Sequence, residues 1–504
     1  MEKIKQTEKD VQLGRRDFLK IAPATAALGA IGLASVPNKT AAKVVDKEIK
    51  KITVVQQDEF PNEIRADYKP PRNYDQVFAH ALFGEILMAH GKDVDKDLIP
   101  LGKSYAHKLT YDFEKGKKGY DQLGKAMASG GWSMCYSASG PMPAGVGEFG
   151  VMSWDQHEDK NPQALIDVNF VAPEKHTFSS KTEASNAIKR AAKLFGADLV
   201  GITQRDERWD YSEFINPVPP LARGTITPPP PEMMPHVGEM MKAHLTSGDA
   251  FYGWEKCSFK PKTVIVLAFE MDYEAISTSP SEVAAAGVGD GYSRMTKTSS
   301  QLAVFLKQLG YHAFAAGNDT SLSIPYGIAA GLGEGSRSGL LVTYNYGPRV
   351  RLAKVYTDLD LVEYDKPRTF GVMEFCKSCK RCADSCPSKA ISQDDYPSFE
   401  PTHDNKENAF YNNKGVKKYY VDCKKCFEFW EQNGVECSNC LASCPYNKPD
   451  FWHHRMVNKI GRLMPGAMHD MMREMDIVFG YGNVGDEKAV DKFFDSEGKN
   501  YNGF

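Results

Sequence analysis

Nine of the chain's eleven cysteines fall between Cys376 and Cys444, in two runs whose spacings constrain this chain more than anything else in it. The first run, FCKSCKRCADSCP, sets Cys376, Cys379, Cys382 and Cys386 two, two and three residues apart and is followed by Pro387. Such short spacings let a looping backbone aim three thiolates at one cube of iron and sulfide while the fourth crosses to a second cube, as in the bacterial ferredoxin run. The second run supplies Cys426, Cys437, Cys440 and Cys444, again ends in Cys-x3-Cys-Pro, and has ten residues between its first two members. The crossing rule assigns Cys376, Cys379, Cys382 and Cys444 to one [4Fe-4S] cluster and Cys386, Cys426, Cys437 and Cys440 to the other.

Other readings of these residues compete. Cys423-x2-Cys426 with Cys437-x2-Cys440 makes a four-cysteine zinc ribbon, but that choice orphans Cys444, ignores Pro445 and leaves the first run one partner short. Disulfides have no need of repeated short spacings. Cys423 stays open as a replacement for Cys426 in the second cluster. Cys135 and Cys257 stand alone and read as buried free thiols.

At 504 residues the chain is long for a single core, so two or three packed units are expected. A formal net charge of −3 gives no argument for nucleic acid or an anionic membrane surface. The aromatic content of 11% suits a large enclosed apolar pocket, or simply a well-packed core. Near the N-terminus Arg15-Arg16-Asp17-Phe18-Leu19-Lys20 precedes a small, mildly apolar stretch with small residues at Thr40 and Ala42. Together they read as a twin-arginine export signal over residues 1–42. A membrane anchor fits less well, because residues 21–36 contain Pro23 and fall short of the ~20 apolar residues that a spanning helix needs. This route carries folded proteins, which suits clusters inserted before export. No other long hydrophobic segment follows, so the mature chain is expected to be soluble or peripheral.

Residues 43–175 show turns, scattered aromatics and Gly-rich patches, and read as a wrapping region. From His176 helices and strands alternate. Ala184, Ile188, Ala191 and Phe195 share helical spacing over 177–195, and 198–202 follows as a strand. The Pro-rich segment 219–235 reads as a lid or a wrapping segment. Residues 263–269 form a continuous apolar run fit for a central strand. Met295, Leu302, Phe305 and Leu309 are in phase over 292–309, a helix that Tyr292 opens, and strands at 311–316, 340–344 and 350–356 complete the sheet. The expected fold class is an α/β (α+β) core over 176–365, a ferredoxin-like two-cluster module over 366–450 and an extension over 451–504. In that extension Trp452, His453, His454 and Arg455 read as surface or packing residues, since thiolates already fill all eight cluster positions.

The words RRDFLK, FKPKTVIVLAFEMDYEAI, GYSRM, GNDTSLSIP, AGLGEGSR and KCFEFW, with the double cysteine pattern, resemble the corrinoid-dependent reductive dehalogenases of organohalide respiration. The likeness runs over nearly the whole chain. It implies a nitroreductase-like core holding a cobalt corrinoid of the cobalamin type, fed by the two clusters. The implied reaction replaces halide by hydrogen with two electrons and a proton, on a small chlorinated ethene or alkane. The Asp-x-His-x-x-Gly corrinoid motif is missing here, since residues 155–160 fail at the glycine; the family lacks it too and buries its corrinoid without a protein histidine on cobalt. The resemblance further implies Tyr292 as the catalytic tyrosine, Asn318 as a polar pocket residue and Arg351 as the arginine beside the tyrosine. A phenol with a pKa of about 10 is a protonated donor at neutral pH, and an adjacent guanidinium could favour the phenolate by ~1.4 to 4 kcal/mol. Taken alone, a tyrosine at a helix start and the strand arginines Arg349 and Arg351 also read as structural. Trp132, Trp154 and Trp430 are candidate pocket walls.

The same resemblance implies a small integral-membrane anchor protein as partner, and an external electron donor, by a quinol pathway or another carrier. It places the protein on the extracytoplasmic face of the cell membrane and allows a homodimer; no nucleic acid is expected. Two other functions stand beside it. One is the epoxyqueuosine reductase class, which pairs a corrinoid with two such clusters but works on tRNA in the cytoplasm. The other is a non-catalytic ferredoxin-type carrier, which leaves residues 43–375 unexplained.

Overall fold

The continuous apolar run becomes the strand Thr263–Glu270, and its place in the sheet explains why it has no polar face. The computed structural model describes residues 54–137, 170–215, 251–257, 259–318, 320–360, 362–403, 411–448 and 481–495. Within them Thr263–Glu270 is an inner strand of a four-stranded sheet, ordered Leu199–Gln204, Thr263–Glu270, Val350–Thr357, Ala313–Ala316. Every neighbouring pair is antiparallel, with Gly201 opposite Val266, Val266 opposite Lys354 and Ala316 opposite Lys354. The alternation of helices and strands therefore builds an α+β arrangement. One expected member of this sheet lies elsewhere. Leu341–Thr343 pairs with Gly333–Gly335 in a separate two-stranded ribbon, because the turn in which the Gly339 N–H bonds the Ser336 carbonyl at 3.0 Å folds it back on its neighbour in the chain.

The helix Lys181–Phe195 starts where Ser180 accepts the Glu183 N–H at 3.1 Å, and it buries Ala184, Ile188, Ala191 and Ala192. A longer helix, Glu282–Gln308, crosses the sheet. Tyr292 thus sits in its middle, which corrects the expected start at that residue. The glycines Gly287, Gly289 and Gly291 each weaken a helix by ~1 kcal/mol relative to alanine, so the local pattern hides the first ten residues. Packing overrides it. The helix Gln122–Ser137 crosses there so closely that a Cβ on Gly289 would lie 2.7 Å from the Trp132 backbone nitrogen, and one on Gly131 2.5 Å from the Ala286 carbonyl oxygen. Val288, Tyr292, Met295, Leu302 and Leu306 share one buried cluster with Leu267, Phe269, Ala353 and Val355 of the sheet.

The wrapping region holds three helices that the sequence pattern did not reveal, Val77–Ala89, Leu98–Tyr111 and Gln122–Ser137. The first, VFAHALFGEILMA, is apolar nearly all round, so no stripe of period 3.6 stands out. It docks on the cluster module: Phe78 meets Phe427 edge-on at 5.5 Å between ring centroids and Trp430 at 5.4 Å. Lys108, on the second helix, pairs with Glu431 at 2.6 Å. Further back, Val55–Gln56 pairs antiparallel with Arg368–Thr369.

The export-signal residues 1–42, Trp154, residues 155–160, the Pro-rich segment 219–235, and Trp452, His453, His454 and Arg455 lie outside the described residues. Among the described residues no helix is long and apolar enough to cross a membrane.

Candidate functional site

The sheet register brings two of the implied site residues to one end of the core. Arg351 is the second residue of Val350–Thr357, and Asn318 follows Ala313–Ala316 by two; the two strands are hydrogen-bonded neighbours, with Ala316 opposite Lys354. The long helix carries Tyr292 over the same end, 6% exposed. Asn318 Nδ2 donates to the Tyr292 hydroxyl oxygen at 3.0 Å. The direction of that bond is set from behind: Ser323 Oγ donates to Asn318 Oδ1 at 2.8 Å and accepts the Lys354 ammonium at 2.7 Å. An ammonium can only donate, so the serine spends its one proton on Asn318, and Asn318 turns its NH2 to the phenol. Tyr292 is the acceptor there, and its own proton is not committed to Asn318.

Two further side chains contact the phenol ring. The Arg351 guanidinium stands 5.0 Å from the ring centroid, and its buried Nε has no hydrogen-bond partner among the described residues. Trp132 stacks on the ring at 4.8 Å and 23°, and its indole N–H donates to Glu436 at 2.9 Å. Burial pushes the Glu436 carboxyl up, with the Trp132 bond and the nearby Arg351 charge acting against it. Lys354, Ser323 and Glu436 escaped the sequence reading. The signal for Lys354 was present as a lysine between apolar residues of a buried strand, a placement that demands buried partners.

These groups face a cavity of about 580 Å³, within the range of small-molecule and cofactor sites. Tyr292, Asn318, Arg351 and Trp430 line it, and so do Cys386, Cys423, Cys426, Cys437 and Cys440. Trp132 does not belong to the wall; it acts from behind Tyr292. Cys376, Cys379, Cys382 and Cys444 are not wall residues either, and three of them, Cys376, Cys379 and Cys444, pack with Phe370, Val372, Phe375 and Tyr446.

The thiols sort themselves electrostatically. Burial above all raises them, Cys376 and Cys437 to about 12 and Cys440 to about 11. Neighbouring thiols add to the rise in two groups. Cys376, Cys379 and Cys444 act on Cys382, and Cys376 and Cys379 on Cys444. Cys440, Cys423, Cys437 and Cys386 act on Cys426, and Cys440 and Cys386 on Cys437. The groups adjoin where Cys440 also reaches Cys382. Cys423 packs apart with Phe427 and Val77; burial pushes its thiol up to about 11, with Lys418 and Asp422 as the charged neighbours. Cys426, one turn on, packs instead with Cys386 and Cys440. Among the described residues no three His, Cys, Asp or Glu side chains converge as they would on a single metal ion; a four-iron cluster takes each thiolate at its own iron, so its ligands surround a cube.

Residues 375–447 match the family model of a 4Fe-4S double cluster binding domain. A tetrachloroethene reductive dehalogenase from Dehalobacter restrictus is 36% identical, with 93% of this chain and 94% of that protein covered, and one from Desulfitobacterium hafniense is 35% identical over the same shares. The chain belongs to the reductive dehalogenases. As a member of this family it is an oxidoreductase, and its two cysteine runs form a double-cluster domain rather than a zinc ribbon. A solved reductive dehalogenase, reported as suggesting a mechanism for B12-dependent dehalogenation, has the same fold, with a TM-score of 0.60 at 19% identity. The match covers 90% of this chain and 53% of that one, so this dehalogenase spans about half the length of that structure.

The cavity of this dehalogenase also asks for a large ligand with polar groups at its rim. Arg351 Nε, Trp430 Nε1 and the Tyr411 hydroxyl are buried without hydrogen-bond partners among the described residues, and all three residues line the cavity. Each such group costs ~1–3 kcal/mol while unmet. A corrinoid, whose ring carries amide side chains, fits that set of donors.

Proposed function

We propose that this dehalogenase replaces one halogen of a small chlorinated ethene or alkane by hydrogen, R–Cl + 2e⁻ + H⁺ → R–H + Cl⁻, inside the cavity. The observation that carries this reading is the composition of the wall: Tyr292, held by Asn318 and Arg351, faces the same space as Cys386, Cys426, Cys437 and Cys440. We assign those four thiols to the near cluster and Cys376, Cys379, Cys382 and Cys444 to the far one. Electrons from an external donor then enter at the far set, pass to the near set and reach the cavity. A cobalt corrinoid, when bound there, supplies the strongly reducing chemistry that breaks the carbon–halogen bond; Tyr411, Trp430 and Arg351 would hold its polar rim.

Tyr292 gives its phenolic proton to the carbon that loses chloride. The negative charge left on its oxygen is favoured by the Asn318 N–H at 3.0 Å and the Arg351 guanidinium, since a hydrogen bond to the ionised form and a positive charge beside it both favour that form. Trp132 holds the ring in place by stacking. Apolar wall residues such as Phe60, Phe78 and Leu340 keep bulk water from competing as the proton source.

The wider setting belongs to the same proposal. The chain is exported by its twin-arginine signal and works at the outer face of the cell membrane through a small integral-membrane anchor, with a quinol-linked or similar donor and as a homodimer. Its corrinoid-binding core over 176–365 is of the nitroreductase-like kind, wrapped by 43–175 and followed by the module over 366–450. The test is anaerobic purification with corrinoid and iron assays, then halide release from chlorinated ethenes, ethanes, methanes and phenols. Tyr292→Phe is expected to lower chloride release by at least ~100-fold with cofactor content unchanged; full activity in that variant would sink the assignment. A cobalt-free protein with intact clusters would instead favour the electron-carrier reading.

A further inference from the structure

A cation on the cavity wall, Lys418, has no ion-pair partner among the described residues. Lys418 lines the cavity alongside Tyr411, Tyr420 and Cys423, on a segment pinned by its backbone, which exchanges two hydrogen bonds of 3.0 Å with Ser398. Its ammonium lies 4.8 Å from the centroid of the Tyr420 ring and makes no hydrogen bond or ion pair among the described residues. The neighbouring lysines behave differently. Lys417 pairs with Glu63 at 2.6 Å, and Lys424 with Asp97 at 2.8 Å and Asp95 at 3.0 Å. Burial pulls Lys418 below the ordinary lysine range, to about 8, with only the Cys423 thiol acting the other way. An ammonium that a cavity wall draws out of bulk water without pairing it is costly, so a wall that keeps one is suited to a ligand that brings a negative charge.

We propose that Lys418 is an anion subsite of the cofactor cavity and takes the phosphodiester in the nucleotide tail of a complete corrinoid. This rests on the corrinoid reading above. Chlorinated ethenes and alkanes are neutral and the corrin side chains are amides, so the tail phosphodiester is the anion that a bound corrinoid brings into the cavity, beside the anionic near cluster. A primary ammonium suits a phosphate as a point charge with three donors. Tyr411, whose hydroxyl is without a partner among the described residues, lines the cavity as well and offers a further donor to phosphate oxygens; Asn412 and Asn413 also line it, their amide nitrogens already engaged with His403 at 2.9 Å and the Tyr68 hydroxyl at 2.9 Å.

The test is equilibrium binding of corrinoids to the cluster-loaded, corrinoid-free full chain, anaerobically and in phosphate-free buffer, read by corrin absorbance. Two ligands are compared: a complete corrinoid, and cobinamide, which lacks the nucleotide and its phosphate. The wild-type chain is expected to prefer the complete corrinoid by ~10-fold or more, the size of one charge-assisted hydrogen bond. Lys418→Met should lose that preference while binding cobinamide as the wild type does, and Lys418→Arg should keep most of it. Iron content and cluster absorbance confirm folding, and Lys418→Gln takes the place of Lys418→Met should the latter not fold. Equal affinities in the wild type, or a preference that survives loss of the charge, overturn the assignment. Inorganic phosphate is then titrated into the cobinamide arm. If it tightens cobinamide binding to the wild type and not to Lys418→Met, a free anion fills the subsite and the tail does not. A wild-type chain that binds neither corrinoid removes the corrinoid reading itself.

Discussion

Ser323→Ala probes whether the phenol's partner is oriented from behind. The serine hydroxyl takes the Lys354 ammonium at 2.7 Å and donates to Asn318 Oδ1 at 2.8 Å, and Asn318 donates to Tyr292 at 3.0 Å. Lys354 is 0% exposed and keeps the Ser321 carbonyl at 3.1 Å. Removing the hydroxyl deletes one charge-assisted bond worth ~1.5–3 kcal/mol and one neutral bond worth ~0.5–1.5 kcal/mol. Both should register in stability, as ~2–4 kcal/mol lost in denaturant unfolding. Only the second reaches the chemistry. Without it the Asn318 amide is free to turn over and set an oxygen against the phenol oxygen, so phenolate support falls by ~1 kcal/mol and turnover about fivefold. Chloride release measured in a double-mutant cycle with Asn318→Ala separates this from general loosening. With the asparagine already removed, Ser323→Ala should add almost nothing, a coupling of ~1 kcal/mol. Additive losses in the cycle, or wild-type turnover in Ser323→Ala, would refute the relay.

Three other perturbations have signs fixed by the structure. Cys426→Ser should lose one cluster by iron content and electron paramagnetic resonance, whereas Cys423→Ser, altered at a thiol that packs with Phe427, should keep both; the reverse result exchanges the two ligands. Gly289→Ala drives a Cβ to 2.7 Å from the Trp132 backbone, a clash worth ~1–3 kcal/mol. It should lower the melting temperature, and disturb the Trp132–Tyr292 stack so that chloride release per iron falls as well; a variant normal in both respects would mean the helix crossing has slack. Glu282, pushed up to about 6 by burial against the opposing Lys125 charge, binds its proton more tightly in the folded chain than in the unfolded one. Its contribution to stability is therefore present at low pH and lost as pH rises from 4.5 through about 6. Relative to wild type, Glu282→Gln should gain up to ~2 kcal/mol over that interval, read from unfolding curves across the range; a difference that does not change with pH would contradict the burial argument.

The parts of this molecule that were legible in its sequence are those whose cause is local. Cysteine spacing is one, because a cube reached by three thiolates from one loop imposes its geometry within a dozen residues. The run at 263–269 is another, since a strand covered on both faces carries its burial in its own composition. The first half of the long helix was hidden because Gly287, Gly289 and Gly291 answer to Trp132, Ala275 and Arg351, residues of other elements that override helix propensity. The helix Val77–Ala89 was hidden for a related reason: its apolar surface is spent on Phe427 and Trp430, more than 300 residues further along the chain. The site shows the same division. Tyr292 and Asn318 each sit in a recognisable word and Arg351 on a strand read from its apolar pattern, but the lysine and serine behind them gain meaning only once the register sets Lys354 opposite Ala316 and the helix Ser323–Ala329 turns its first hydroxyl back. The cavity is the extreme case, because its wall draws on residues from Phe60 to Leu441, none of them distinctive alone. What sets this wall apart is that Arg351, Tyr411 and Trp430 all arrive with donors unmet among the described residues. A fold that tolerates several such groups in one space is stable with that space filled, so loading the cavity should raise the stability of the whole chain as well as its activity.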